Sequence, residues 1–284
     1  MEKKIILVTG ASSGIGTETA MTLAKQGHKV IVHGRNLETT KTVWEAIKKE
    51  NSDTDMIVCD LSLLTDIKRL SDELHEKYDH IDVLINNAGG QFTDERKETT
   101  EGHELTFAIN TLAPFLLTTL LMDLLEKSES GRVVTVSSES YCQAGDPIIN
   151  DIELKDNYSM MKSYGQSKLF VLWIMRMFAK NYKDSKVTFN TCEPGSVSTN
   201  LARESGKMDW FKEMMEKHQE YMWSVEKGAA TSIYLATVPE VSEVSGKFYG
   251  DCKEKNIDSK WYSDQGEQIV WDYCMGVCKP YLQK

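Results

Sequence analysis

The sequence predicts an open α/β fold: a doubly wound parallel sheet with helices on both faces, in a single domain. Three observations carry that prediction. Short apolar, β-rich runs alternate with longer amphipathic ones through the first two thirds of the chain. The strand-like runs are almost continuously apolar, as strands buried on both faces are. No Pro/Gly/Ser linker, low-complexity block or internal repeat divides the 284 residues.

The elements follow in order. "KIILVTG" (4–10) reads as a strand ending in a glycine turn, and "TETAMTLAKQG" (17–27) as a helix closed by Gly27. "KVIVHG" (29–34) is a second strand and "LETTKTVWEAIKKE" (37–50) a second helix. "MIVCD" (56–60) is strand three, and "LLTDIKRLSDELHEKY" (63–78) has apolar residues at helical spacing. "IDVLINNAGG" (81–90) is strand four, followed by a long helix within 101–127 and the strand "RVVTVSS" (132–138). A helix carrying "YSMMKSYGQSK" (158–168) leads to the strand "KVTFNTCEPG" (186–195). The last helices are "VEKGAATSIYLATV" (225–238) and one at 264–277, within a C-terminal tail of about 251–284. An insert at about 196–224 interrupts the rhythm and contains Met208, Trp210, Phe211, Met214, Met215, Tyr221, Met222 and Trp223. It leaves from the carboxyl end of a strand, where open α/β sheets bind ligands, so it is expected to wall a substrate pocket.

Hydrophobic content of 40% and charged content of 27% are ordinary for a globular domain. The formal net charge of -10 argues against a nucleic-acid partner and against docking on an anionic membrane. The opening "MEKKIILVTGASSGIG" is too short in its apolar part for a signal peptide, and no later run is long enough for a span. No stable membrane insertion and a cytoplasmic location are expected. Cys59, Cys142, Cys192, Cys252, Cys274 and Cys278 are scattered and read as free thiols. Cys274 and Cys278 lack nearby histidines, so no metal site is expected.

"TGASSGIG" places Gly10, Gly14 and Gly16 between a strand and a helix, with Ser12, Ser13 and Ile15 among them. Glycines let the backbone approach a pyrophosphate, and the helix start offers free amides and positive dipole. This is a Rossmann-type dinucleotide signature. The end of strand two selects the cofactor. An acid there bonds ribose hydroxyls of NAD, while an Arg suits the 2′-phosphate of NADP. The chain reads "VHGRN": Gly34 stands at the acid's place, then Arg35 and Asn36. A planar guanidinium can donate two bonds to phosphate, so NADP(H) is expected over NAD(H). The alternative is a solvated Arg35, with Glu38 serving the ribose.

These motifs, with "CDLS" (59–62), "NNAG" (86–89), "FAINTLAPF" around Asn110, "VSS" (136–138), the Tyr164–Lys168 pair and "PGSVST" (194–199), resemble the short-chain dehydrogenase/reductase family. The matches run in order across residues 4–250. "RNLETTK", "EGHELTFAINTLAPFLLT", "YGQSKL" and "GKFYGDCK" resemble its retinol dehydrogenase-like branch, which is also similar to protochlorophyllide reductases. The resemblance implies that Asn110, Ser138, Tyr164 and Lys168 are catalytic. In the family the Ser orients the substrate oxygen, the Lys also bonds the nicotinamide ribose, and the Asn helps hold a water-linked proton relay. It further implies cofactor contacts from Asp60, Leu61, Asn87, Ala88, Gly89, Tyr164, Lys168, Pro194, Gly195, Val197 and Thr199. The chain departs from the branch in carrying Glu193 where many members have His, and it is expected to differ from many of them in having no N-terminal membrane anchor.

Tyr158 and Lys162 repeat the spacing of Tyr164 and Lys168. An i, i+4 pair shares one helix face, and an ammonium there is expected to lower the phenol's pKa. Three features favour Tyr164. Its neighbours Ser163, Gly165 and Ser167 are small, and Lys168 leads into the apolar "LFVLWIMRMFA". The interval to Pro194 and Gly195 also matches the family's. On one helix Tyr158 would lie roughly 240° away from Tyr164, so Tyr158 and Lys162 are read as a pocket-edge pair. Ser137 is expected to point away from Ser138 by strand alternation.

The resulting expectation is an NADP(H)-dependent oxidoreductase that interconverts a small apolar carbonyl and its alcohol, and the chain is compatible with a homodimer. The alternatives are a non-catalytic NADP(H)-binding redox sensor, or a retinol or steroid dehydrogenase using NAD(H).

Overall fold

The computed structural model describes residues 2–92, 94–143, 145–197 and 222–283. Thr199 and the insert residues Met208, Trp210, Phe211, Met214, Met215 and Tyr221 lie outside the described residues.

Eight strands form one sheet: β1 (Ile5–Val8), β2 (Lys29–Gly34), β3 (Thr54–Val58), β4 (Val83–Asn86), β5 (Arg132–Val136), β6 (Thr188–Glu193), β7 (Phe248–Gly250) and β8 (Lys253–Glu254). Their order is β3-β2-β1-β4-β5-β6-β7-β8. All neighbours are parallel until β8, which pairs antiparallel with β7. Strand order reverses direction between β1 and β4. At such a switch point the connections leave for opposite faces and open a crevice beyond the strand ends.

Among the described residues the α-helices are α1 (Gly14–Lys25), α2 (Leu37–Glu50), α3 (Leu64–Lys77), α4 (Leu105–Phe107), α5 (Ala113–Leu120), α6 (Met122–Glu126), α7 (Met160–Asn181), α8 (Val225–Thr237) and α9 (Asp264–Cys278). The alternation of strand side chains divides the core in two. Leu7, Ile31, Leu84, Val133 and Phe189 face a cluster built with α3, α5, α7 and α9. Ile6, Val8, Val30, Val32 and Ile85 face a second cluster built with α1, α2 and α8. Phe115, Phe170, Phe178 and Phe189 are fully buried in the first. Each such side chain contributes roughly 1.5–3 kcal/mol.

Three features depart from the sequence reading. The helix expected within 101–127 is broken: α4 passes through a π-helical turn, Ala108–Leu112, into α5. Strands β7 and β8 have no counterpart in the pattern, because three residues and two residues are too short to show alternation. The helix of the doubled Tyr–Lys pattern begins only at Met160, where the Ser159 side chain accepts the Lys162 N–H. Tyr158 therefore stands outside the helix, and the 240° phase argument does not apply to it.

The C-terminal helix α9 packs on α7 and α5. Trp271 sits edge-on to Phe115 and Phe178, and Arg176 pairs with the buried Glu267 at 3.0 Å. Among the described residues no helix is long and apolar enough to cross a membrane.

Candidate active site

The crevice has two ends. At the glycine-loop end, Gly10 (φ +65°) and Gly14 (φ +56°) adopt the left-handed conformation that favours glycine. A Cβ on Gly16 would lie 2.3 Å from the Gly10 carbonyl oxygen and 2.4 Å from Asn87 Nδ2. Asn87 donates to Thr9 O at 2.8 Å, and Thr9 Oγ1 accepts the N–H groups of Asn87 and Ala88, each at 3.0 Å. Thus Asn87 clamps the "NNAG" turn onto the glycine loop. The His33 ring completes the clamp: Nδ1 accepts the Gly10 N–H at 3.1 Å and Nε2 donates to Cys59 O at 3.1 Å. Burial lowers its pKa to about 4, so the ring is neutral, as these two roles require. Thr9 and His33 were not singled out by motif, and only the tertiary fold assigns them this work.

Residues around the loop fit a dinucleotide. The N-cap Ser13 makes no side-chain bond to the start of α1, and the first turn of α1 carries no acid. An anion there would meet free amides and favourable dipole. Gly34 ends β2 with no room for a side chain: a Cβ would lie 2.2 Å from Thr40 Oγ1 and 2.8 Å from Ser12 Cβ. Arg35 follows it, exposed. Asn36 caps α2 by accepting the Thr39 N–H at 3.1 Å. Asp60 accepts the Ser62 N–H at 3.0 Å, and Leu61 is buried beside it.

At the other end α7 brings Tyr164 and Lys168 to the ends of β4 and β5. Lys168 Nζ donates to Val136 O at 2.9 Å and lies 5.8 Å from the centre of the Tyr164 ring. Tyr164 shares a hydrogen bond with Ser138, whose Oγ also accepts the Ser140 N–H at 3.1 Å. Ser137 donates to Lys168 O at 2.9 Å, so both serines bond to α7, one to its backbone and one to the Tyr164 side chain. The expected opposition of Ser137 and Ser138 is thus corrected: β5 ends at Val136, and strand alternation does not extend to this pair. Gly89 packs beneath the set: a Cβ there would be 3.1 Å from Lys168 Nζ and 3.0 Å from Asn110 Oδ1.

Burial governs the electrostatics. It raises the Tyr164 phenol to about 12, against a smaller opposing effect of the Ser138 bond. It lowers the Lys168 ammonium to about 8. The expected depression of the phenol by the lysine is therefore corrected: the phenol is raised by its burial, and Lys168 is not among the groups that shift it. Asn110 lies in the π-helical turn, a form common at functional sites. Its side chain is engaged within the protein, pairing with both N–H and C=O of Gly90 at 3.0 Å and donating to Ser167 Oγ at 3.0 Å.

Tyr158 and Lys162 do not reproduce this geometry. Tyr158 is half-buried and bonds the Thr106 and Ser163 side chains, and burial followed by the nearby Glu104 raises it to about 12. Lys162 Nζ donates to Asp146 O at 3.2 Å. On the far side of Lys168, Gly195 (φ +72°) follows Pro194, and Val197 bridges in parallel to Trp223.

A glycine-loop crevice joined to a Ser–Tyr–Lys set with buried Tyr164 and Lys168 defines an oxidoreductase of the dinucleotide-binding α/β class. The chain belongs to the short chain dehydrogenase family, whose model matches residues 4–210, and within it to the retinol dehydrogenase-like branch. It is 34% identical to human retinol dehydrogenase 14, covering 96% of this chain and 85% of that protein. It is 35% identical to human polyprenol dehydrogenase, covering 94% of this chain and 83% of that protein. Its fold is similar to that of a short chain dehydrogenase from Escherichia coli CFT073 complexed with NADPH. There the TM-score is 0.70 at 24% identity, over 89% of this chain and 98% of the other.

Proposed function

We propose that the protein is an NADP(H)-dependent oxidoreductase interconverting an apolar carbonyl and its alcohol, with Tyr164 as the acid–base group. The observation that carries the reading is the set of buried Tyr164 and Lys168 with the half-buried Ser138, where β5 ends and α7 begins. The bound dinucleotide supplies or accepts the hydride. The protein's own part is the proton. Ser138 holds the substrate oxygen beside Tyr164, and a phenol raised to about 12 is protonated at neutral pH and ready to donate. Asn110 and Gly89 keep Lys168 and the Gly90 backbone in register.

Arg35 supports NADP(H) over NAD(H), and Gly34 strengthens the preference because the β2 terminus cannot hold an acid in its place. Two relatives are a retinol dehydrogenase and a polyprenol dehydrogenase, whose named substrates are long, apolar alcohols. That class of long apolar alcohol and aldehyde is the one we assign. Fluorescence titration with NADPH and NADH, then a carbonyl and alcohol panel, tests the reading. Tighter NADPH binding and turnover of apolar aldehydes are expected. Tighter NADH binding, preference for small charged carbonyls, or cofactor binding with no turnover on the panel would overturn it.

A further inference from the structure

Glu193 ends β6 with its carboxylate buried, 5% exposed, immediately before the turn at Pro194 and Gly195. Its two oxygens have separate partners. Oε2 accepts the Gly195 N–H at 2.6 Å, and Oε1 meets Lys255 Nζ at 3.2 Å. Lys255 also pairs with Glu139, the residue after Ser138. One buried carboxylate thus ties together the turn after β6, the loop bearing the reactive serine and the segment that follows β8. These groups line a cavity of about 320 Å³ together with Ser196, Trp223, Gly250 and Asp251.

The surroundings are shaped around this pair. A Cβ on Gly250 would lie 2.4 Å from Glu193 Oε1 and 2.6 Å from Lys255 Cδ. A Cβ on Gly195 would lie 2.6 Å from the Trp223 ring, and φ of +72° disfavours any side chain there. The turn is pressed by Trp223 from outside and held by Glu193 from within.

We propose that Glu193 is a positioning residue for the nicotinamide side of the site. It acts through the Gly195 amide, with Lys255 holding the carboxylate in the required rotamer. The inference rests on the proposed function for what the turn receives, but the pin itself is a property of the protein alone. A carboxylate accepting a backbone N–H forms a strong, charge-assisted bond. An amide side chain can keep the bond to Gly195, and a methyl group cannot.

Glu193→Gln and Glu193→Ala separate the roles. The first readout is hydrogen exchange of the Gly195 amide without cofactor, at a pH where both variants keep the wild-type melting profile. Exchange should quicken at least about tenfold in Glu193→Ala and stay within about threefold in Glu193→Gln. The second is NADPH affinity by fluorescence: Kd should rise about tenfold in Glu193→Ala and recover in Glu193→Gln, with kcat at saturating cofactor changing less than KM. Unchanged exchange in Glu193→Ala overturns the pin. Fast exchange with unchanged Kd overturns the positioning role. Wild-type protein that shows the expected exchange pattern but binds no dinucleotide upholds the pin and overturns the proposed function instead. Where Glu193→Ala unfolds, Lys255→Met gives the same reading: faster Gly195 exchange upholds the proposal and unchanged exchange overturns it.

Discussion

His33 and Lys168 are both buried bases, one at each end of the crevice, and they are buried on different terms. The His33 ring uses both nitrogens, one on the Gly10 N–H and one on Cys59 O, and is neutral. Lys168 gives its ammonium to Val136 O and sits beside a phenol raised by the same burial. At the glycine loop, polar side chains complete one another: Thr9, His33 and Asn87 lock three turns together. At the proposed catalytic end, burial shifts Tyr164 and Lys168 away from their ordinary ionisation, as groups held for proton transfer commonly are. The first end makes a rigid cradle. The second keeps an energetic burden that chemistry can use.

Tyr164→Phe should break the catalytic end with the largest effect. General acid–base groups contribute typically about 10²–10⁴-fold, so kcat should fall by about 10³-fold with NADPH affinity unchanged. The pH dependence sharpens the assignment. An acid acts while protonated, so reduction should be level through neutral pH. Oxidation needs the phenolate and should rise with pH, up to about tenfold per unit below the phenol's pKa. Steady-state rates in both directions check this. Retained turnover in Tyr164→Phe, or oxidation independent of pH, would sink Tyr164 as the proton-transfer group.

Lys168→Met should remove activity and, unlike most buried substitutions, add stability. In the folded protein Lys168 titrates at about 8, below its ordinary 10.5. The unfolded chain therefore binds more protons between these values, and unfolding free energy rises with pH across that window. Below pH 8 the charged lysine costs up to about 3 kcal/mol. Met has no charge to bury, so urea unfolding at pH 7 should show the variant more stable, with the gap narrowing toward pH 10.5. A less stable variant with no pH-dependent gap would show that Lys168 supports the fold instead.

Local pattern carried much of this into the sequence. The strand 29–34 and the helix 37–50 are found with the expected limits, because an apolar run ends at Gly34 and Asn36 is a ready cap. Tyr164 and Lys168 are one helical turn apart, so spacing made them a candidate pair, and the small neighbours and the interval to Pro194 separated them from Tyr158 and Lys162. The Glu193–Lys255 pair joins residues 62 apart, and His33 meets Gly10 and Cys59 from distances of 23 and 26 residues. Such partners are set by sheet order, which periodicity does not encode. The π-helical turn at Asn110 was hidden for a related reason: "FAINTLAPF" is apolar enough for an unbroken helix, and only the bonds to Gly90 and Ser167 show where the side chain is held.

The smaller test falls on the glycine-loop end and predicts acid sensitivity. His33 has a folded pKa of about 4 against an ordinary 6.5. As pH falls through this window the unfolded chain takes up the proton first. Stability contributed by the neutral ring is therefore complete above about pH 6.5 and is lost as pH drops toward 4, by up to about 3 kcal/mol. His103 runs the other way, because the bond to Glu153 raises its pKa. A raw stability curve thus mixes the two. His33→Gln isolates the effect: its amide oxygen can still accept the Gly10 N–H, but it cannot titrate. Subtracting the variant's urea-unfolding free energy from the wild type's at each pH should give a difference that is level above 6.5 and falls below it. A flat difference would mean that the ring takes up its proton in place. The cradle would then yield to charge as readily as the unfolded chain does, and its contrast with the catalytic end would vanish.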